Sequence, residues 1–321
     1  MKNKNGLVTG LGILCLALMV VVGCTVVKEK KQAEAVPAYT EEETISSDVV
    51  VVDGVEYTPN TDIETVLFLG IDKEARTDFH NTPGLNGQSD SMNLLVMNKE
   101  TKEATILQIS RDTMVEIDIY SAMDDKLMTE PGQISLQYAY GDGEKRSCQL
   151  VKEKVSDLLY GADVDSYFAL TLDGMVVAAD KIGVELTVPE DYTYINPAFT
   201  QGAVLILDGE LTEAYVRSRD FEALEANEER MERQAQYMSA LMTKIKGIED
   251  MNAYVSLYQE LEPYMVTDMT AEEMMELAEY NLASETVEIP GEIKEIDGYA
   301  GLVVDNDKLK EIVLNLFYKA N

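Results

Sequence analysis

The chain has 321 residues, 46% of them hydrophobic and 26% charged, which suffices for one large globular domain or two small ones behind a leading segment. Asp and Glu outnumber Lys and Arg by 59 to 26, a formal net charge of −33, which excludes a basic footprint for nucleic acid. A single histidine, His80, and three cysteines, Cys15, Cys24 and Cys148, exclude a multi-histidine metal site, a disulfide framework and a Cys-rich zinc site.

Lys2 and Lys4 precede an apolar run from Gly6 to Val27, the pattern of an export signal. A run of about 22 residues is also long enough to cross a bilayer at ~20 residues per crossing. It ends in Val21-Val22-Gly23-Cys24, which resembles a bacterial lipoprotein signal. Residues 1–27 therefore read either as a signal that leaves a lipidated Cys24 or as an uncleaved transmembrane anchor. Both place the remainder at the outer face of a membrane, where no ATP is supplied. Residues 28–60, with Glu41-Glu42-Glu43-Thr44, read as an acidic linker that closes with an edge strand at Val49–Val52.

From residue 61 onward the pattern is globular. The continuous apolar run Thr65–Leu69 predicts a buried strand. Met92–Met97 and Ala104–Ile109 predict a hairpin across the polar turn 98–102. Thr77–Gly87, which holds His80, is a loop without apolar period. Helical spacing appears at Cys148–Tyr160, Met175–Lys181, Glu222–Lys246, Met251–Leu261, Ala271–Tyr280 and Asn306–Tyr318. Strands are expected at Tyr167–Leu172, Val184–Val188 and Tyr215–Arg219. Interleaved strands and helices predict an α/β fold with a sheet covered on both faces.

Only seven arginines occur, and Arg217, Arg219, Arg230 and Arg233 fall within 17 residues of one another. On a strand, Arg217 and Arg219 would project from one face. On the long predicted helix, Arg230 and Gln234 can look sideways into a cleft, while Arg233 points nearer to solvent. Guanidinium forks match phosphate oxygens. Ion pairing with the adjacent Glu228, Glu229 and Glu232 remains the alternative. Asp72 follows the buried strand and Asp90 precedes the next one. Ligands gather at strand ends in open α/β sheets, and one or two carboxylates plus substrate phosphates commonly hold Mg²⁺. Turn capping is the alternative for both.

These residues lie within an ordered series of motifs: Leu67-Phe68-Leu69-Gly70-Ile71-Asp72, Gly87-Gln88-Ser89-Asp90-Ser91-Met92, Ile109-Ser110-Arg111-Asp112-Thr113, Leu207-Asp208-Gly209-Glu210, Tyr215-Val216-Arg217-Ser218-Arg219 and Arg233-Gln234. The series resembles the LytR-CpsA-Psr family of bacterial cell-envelope phosphotransferases. The resemblance implies a three-layer α/β/α sandwich with a central mixed sheet over residues 61–321. It implies transfer of a glycopolymer, such as a teichoic acid or capsule, from a polyprenyl-diphosphate carrier to a muramic acid hydroxyl of peptidoglycan. It also implies that Asp72 and Asp90 bind Mg²⁺, with Mn²⁺ as the alternative ion. Arg111, Arg217 and Arg219 would bind and activate the diphosphate, joined by Arg230 and Gln234. Asp112 either orients Arg111 through an ion pair, the favoured reading, or accepts a proton from the acceptor hydroxyl.

Two positions depart from the family pattern. Gln88 replaces an Arg and Gln133 a Lys, so two expected cations are neutral amides, and Lys73, Arg76 and Lys126 are the nearby cations that could compensate. This departure motivates a rival reading as a non-catalytic polyprenyl-phosphate or glycan scaffold. A lipid-diphosphate hydrolase is the third reading. The Met-rich segments (Met238, Met242, Met274 and Met275) read as core or groove filler that would suit a prenyl chain.

Overall fold

The computed structural model describes residues 49–52, 54–73, 82–218, 251–283, 286–296 and 298–321, with 229, 230, 232–234, 236, 237, 240, 241 and 244 between them. The leading segment with Cys24, the linker before residue 49, Arg76, His80 and Arg219 lie outside the described residues.

In chain order the strands and helices are β1 (Val50–Val52), β2 (Val55–Pro59), β3 (Ile63–Ile71), β4 (Ser89–Asn98), β5 (Glu103–Ile109), β6 (Met114–Tyr120) and β7 (Lys126–Gln133), followed by α1 (Lys145–Leu158), β8 (Ser166–Thr171) and α2 (Leu172–Ile182). Then come β9 (Val184–Thr187), β10 (Val204–Leu207), α3 (Gly209–Arg217), α4 (Met251–Leu261), β11 (Met265–Thr267) and α5 (Ala271–Glu276). The chain closes with β12 (Asn281–Leu282), β13 (Val287–Glu288), β14 (Gly291–Ile296), β15 (Tyr299–Val304), α6 (Asn306–Phe317) and β16 (Tyr318–Ala320). The described residues between 229 and 244 are helical as well.

The central sheet runs β11-β8-β3-β4-β5-β12, with β13 also on β5. It is mixed: β3 pairs parallel with β8 and antiparallel with β4, and β12 and β13 pair parallel with β5. Alternation explains the layering. Leu67, Leu69, Met92, Leu94, Leu107 and Ile109 pack on one face against Cys148, Val151 and Val155 of α1 and Leu309, Val313 and Phe317 of α6. On the opposite face Val66, Leu95, Met97 and Ile106 meet Leu277 and Tyr280, while Phe168 meets Ala178 of α2 and Leu261 of α4. Helices therefore cover both faces. Leu67, Leu94 and Leu107 are fully buried, and each such side chain contributes about 1.5–3 kcal/mol relative to exposure. Burial, reinforced by the charges of Asp142 and Asp268, pushes the Cys148 thiol far up its titration scale, so it behaves as a small core hydrophobe.

β1 falls on the edge strand expected at Val49–Val52, but three features differ from expectation. Residues 55–59, within the stretch read as linker, form a second strand, β2, which pairs with β1 and with the C-terminal β16. Tyr215 and Val216 belong to helix α3, because Asp208 caps its start: the Asp208 carboxylate accepts from Leu211 N at 2.9 Å. Third, β6 and β7 form a hairpin outside the central sheet.

That hairpin is pinned to α1 by a buried charge group. Asp118 of β6 accepts from Lys154 Nζ (3.0 Å), Lys126 Nζ (2.7 Å) and Thr129 Oγ1 (2.8 Å), and the Gln137 amide bridges its backbone N and O. Burial disfavours the Asp118 carboxylate, but the hydrogen bonds from Lys126, Lys154 and Thr129 outweigh it and hold the pKa below the ordinary 3.8. Lys154 is shifted upward: burial opposes its charge, and Asp118 and Asp157 overcome that. The pair thus stabilises the fold fully between the unfolded-state values of Asp and Lys. It is lost as pH falls through the lowered Asp118 value, or rises through the raised Lys154 value. Asp118→Asn is expected to cost about 3 kcal/mol at neutral pH, the low end for a broken buried pair because Asp157 still holds Lys154. Denaturant unfolding at several pH values checks this, and the gap to the native protein should begin to close below about pH 4 and vanish as pH falls through the lowered Asp118 value.

Candidate active site

The site begins with an irregularity in the sheet. β3 and β4 pair residue for residue up to Gly70 and Ser91, and then Ile71 pairs with Ser89. Asp90 is the extra residue, and such a bulge re-aims a side chain at the end of a strand pair. Asp72 follows β3, with its N–H donating to Gln88 O at 3.0 Å. Gly87 holds the entry to β4: its φ is +85°, and a Cβ there would lie 2.7 Å from Lys73 Cγ.

Arg111 follows β5 and gathers the strand ends. One Nη bonds Asp90, the other donates to Gln88 Oε1 at 2.8 Å, and Nε faces Asp112 Oδ1 at 3.6 Å. Gln133 Nε2 donates to the same Asp112 oxygen (2.7 Å) and to Ala300 O (2.8 Å). Asp112 thus faces Arg111 as an ion-pair partner, which fits the orienting role of the two read from the sequence. The two departures from the family pattern take different roles. Gln88 receives Arg111 through its oxygen, and Gln133 spends its donor on Asp112 and the β14–β15 hairpin. Neither Lys73 nor Lys126 supplies the missing charge in an open cleft: Lys73 is buried beneath Gly87 and beside Gly143, and Lys126 is bound to Asp118.

The other arginines arrive from α3 and the helical segment after it. Arg217, last residue of α3, bonds Asp72 (3.4 Å) and Glu213 (3.0 Å). It therefore projects from a helix terminus, which corrects the expectation of a strand face shared with Arg219. Arg230 is buried, with Nη2 donating to Asp90 O (3.3 Å) and Nη1 3.8 Å from Asp90 Oδ2. Gln234 Nε2 donates to Val216 O at 3.0 Å. Arg233 is only 1% exposed, which overturns the expectation that it points toward solvent. The fold thus brings Asp72, Asp90, Arg111, Arg217, Arg230 and Gln234 to one end of the sheet. Glu213 joins them, and spacing gave no reason to select it. Among the described residues no group of three or more His, Cys, Asp and Glu side chains is gathered to hold a metal.

Beneath this polar cluster, on the α2/α4 side of the sheet, lies an apolar cavity of about 150 Å³. Phe68, Gly70, Ser91, Asn93, Phe168 and Leu170 form its sheet wall, and Met175, Ala178, Ile182, Val216, Gln234, Tyr237, Leu241, Leu257, Leu261 and Met274 its helical wall. An apolar space of this kind can accept a hydrocarbon chain. Ser91 and Val216 are the chain neighbours of Asp90 and Arg217, so the apolar space ends beside the arginine–carboxylate cluster. Met274 lines it as expected; Met238 and Met242 lie outside the described residues. Among the described residues no helix is long and apolar enough to cross a membrane.

A mixed α/β sheet that carries guanidinium forks and carboxylates at one end, over a hydrocarbon-lined cavity, defines a protein suited to a charged head group with an apolar tail. The chain belongs to the LytR_cpsA_psr family, whose sequence pattern matches residues 23–317. It is 24% identical over 262 residues to the polyisoprenyl-teichoic acid–peptidoglycan teichoic acid transferase TagU of Bacillus licheniformis, covering 80% of this chain and 78% of that one. It is 28% identical over 269 residues to the corresponding transferase TagT of Bacillus subtilis, covering 80% and 77%. The fold matches the crystal structure of Bacillus subtilis TagU with a TM-score of 0.59 at 20% identity, over 80% of this chain and 96% of that one.

Proposed function

We propose that this chain transfers a glycopolymer from a polyprenyl-diphosphate carrier to peptidoglycan. The observation that carries the reading is the arginine–carboxylate cluster closing one end of the apolar cavity. The prenyl chain enters the cavity, and the diphosphate lies between Arg111, Arg217, Arg230 and Gln234; Arg219, outside the described residues, is assigned to the same role by its place in the family motif. A hydroxyl oxygen of the acceptor, the 6-hydroxyl of a muramic acid, forms a bond to the phosphorus that bears the glycan. The bond from that phosphorus to the bridging oxygen breaks, polyprenyl phosphate leaves, and the hydroxyl proton passes to solvent. Phosphoryl transfer of this kind depends on positioning and charge stabilisation, which guanidinium groups supply.

Asp72 and Asp90 suit Mg²⁺, or Mn²⁺ in its place, by donor chemistry: they are hard oxygen donors, and two carboxylates need the substrate phosphates to complete a shell. When bound, the cation would neutralise phosphate charge. Binding there would compete with the pairing of Asp72 to Arg217 and of Asp90 to Arg111. A membrane attachment through lipidated Cys24 or an uncleaved helix at residues 1–27 would keep the protein at the outer face, where carrier and acceptor lie.

The test is a transfer assay with the full chain, a short-chain lipid-diphosphate glycan, peptidoglycan oligomers and Mg²⁺, read by mass spectrometry. A glycan-phosphate adduct, lost in Arg217→Ala, is the expected product. The Gln88–Arg111 bond favours a second reading, a scaffold that binds the carrier without reaction, because an amide holds the place of a cation. Bound but intact donor would support that reading. Free glycan phosphate in the absence of acceptor would indicate a hydrolase.

A further inference from the structure

Arg233 is among the largest side chains with almost no exposure, and the proposed chemistry does not use it. Its Nε donates to Tyr215 O at 2.8 Å, one Nη donates to Ser218 O, and the other bonds Glu229. The guanidinium lies over the Tyr192 ring, 5.1 Å from its centroid. Glu229 is held in turn by Tyr194 Oη. Gln234, one residue on, donates to Val216 O.

The acceptors of these bonds lie at one place. The last carbonyls of a helix have no donor further along it. In α3, Ala214 O takes Ser218 N, but Tyr215 O, Val216 O and then Ser218 O take side chains from the next helical segment. A cation there also meets the negative end of the helix dipole. Burying a guanidinium is costly, and an apolar side chain would fill the space more cheaply. The bonds it makes fix the helix end that carries Arg217.

We propose that Arg233 is a positioning residue. It locks the C-terminal turn of α3 so that Arg217 presents its fork to the diphosphate, and it does not touch the substrate itself. This rests on the transferase reading only in taking Arg217 as a diphosphate ligand. A lysine at 233 would keep the charge but, as a point donor, could not span the Tyr215 and Ser218 carbonyls.

The test measures the affinity of the full chain for a short-chain prenyl diphosphate by calorimetry, with Mg²⁺ present. Four proteins are compared: native, Arg233→Lys, Arg217→Ala and the double variant. Arg233→Lys should weaken binding about tenfold in the native background and by less than twofold in the Arg217→Ala background, since positioned and positioning residues are non-additive. Equal losses in both backgrounds, or none in either, would overturn the proposal and leave Arg233 as a packing residue. An Arg217→Ala variant that binds as well as the native protein would instead overturn the reading of the site. Should Arg233→Lys fail to fold, Glu229→Ala removes one anchor of the guanidinium and carries the same comparison, with a several-fold loss expected only when Arg217 is present.

Discussion

Asp90→Asn is expected to lower kcat/KM for transfer by about 10³-fold, a loss of roughly 4 kcal/mol in transition-state stabilisation. One carboxylate serves two arginines here: Arg111 bonds one oxygen and Arg230 faces the other, while Arg230 also holds the Asp90 carbonyl. The Arg230 side chain is 3% exposed, so water cannot replace the charge that Asp90 supplies. An amide can still accept one hydrogen bond, but its NH₂ then confronts a guanidinium. Two forks lose their common reference, and the carboxylate proposed for the cation is gone. Steady-state kinetics with the lipid-diphosphate donor checks the rate, and a thermal melt separates it from unfolding. Activity within tenfold of native would mean that Asp90 only balances charge.

Ala178→Phe is expected to raise KM for a long-chain donor by about 100-fold and to leave the affinity for inorganic diphosphate within twofold of native. Ala178 sits on α2 and lines the cavity with Phe168 and Leu261. A benzyl group there takes the space of about four methylene-sized groups of the occupant. At ~0.8 kcal/mol for each, that is ~3 kcal/mol, or two decades of affinity. The apolar space and the arginines are separate parts of one site, so chain-length dependence should flatten while the response to phosphate is kept. An equal loss for both ligands would place the prenyl chain elsewhere.

The sheet was largely legible in the sequence because its middle strands are continuous apolar runs. Thr65–Leu69 and the hairpin around residues 98–102 required only local pattern. Helix α4 matched its predicted bounds, Met251–Leu261. Helix α3 was not legible by periodicity, because it is short and its last turn holds Tyr215-Val216, residues that favour strands. Its signal was the cap at Asp208, which spacing of the arginines overshadowed. The candidate residues could be chosen from the sequence, but their mutual geometry could not. Asp90 and Arg230 are 140 residues apart, and only the resemblance to a family placed them together. Arg233 was misjudged because helical phase positions a residue relative to its own helix, whereas its burial comes from the Tyr192 loop and the end of α3.

The pairing of β2 with β16 also decides how the domain bears load. A pull on residue 49 reaches β1 and β2 first, and β2 is held by the last strand of the chain through Tyr57–Ala320, Thr58–Lys319 and Pro59–Tyr318. Asn321 N–H adds a bond to Glu56 O, and Lys319 an ion pair with Asp62. Tension entering at that end is therefore absorbed by a small three-stranded sheet before it reaches β3 and the bulge at Asp90. The final four residues thus fasten the leading strands, and their removal would take away the pairing of β2 with β16.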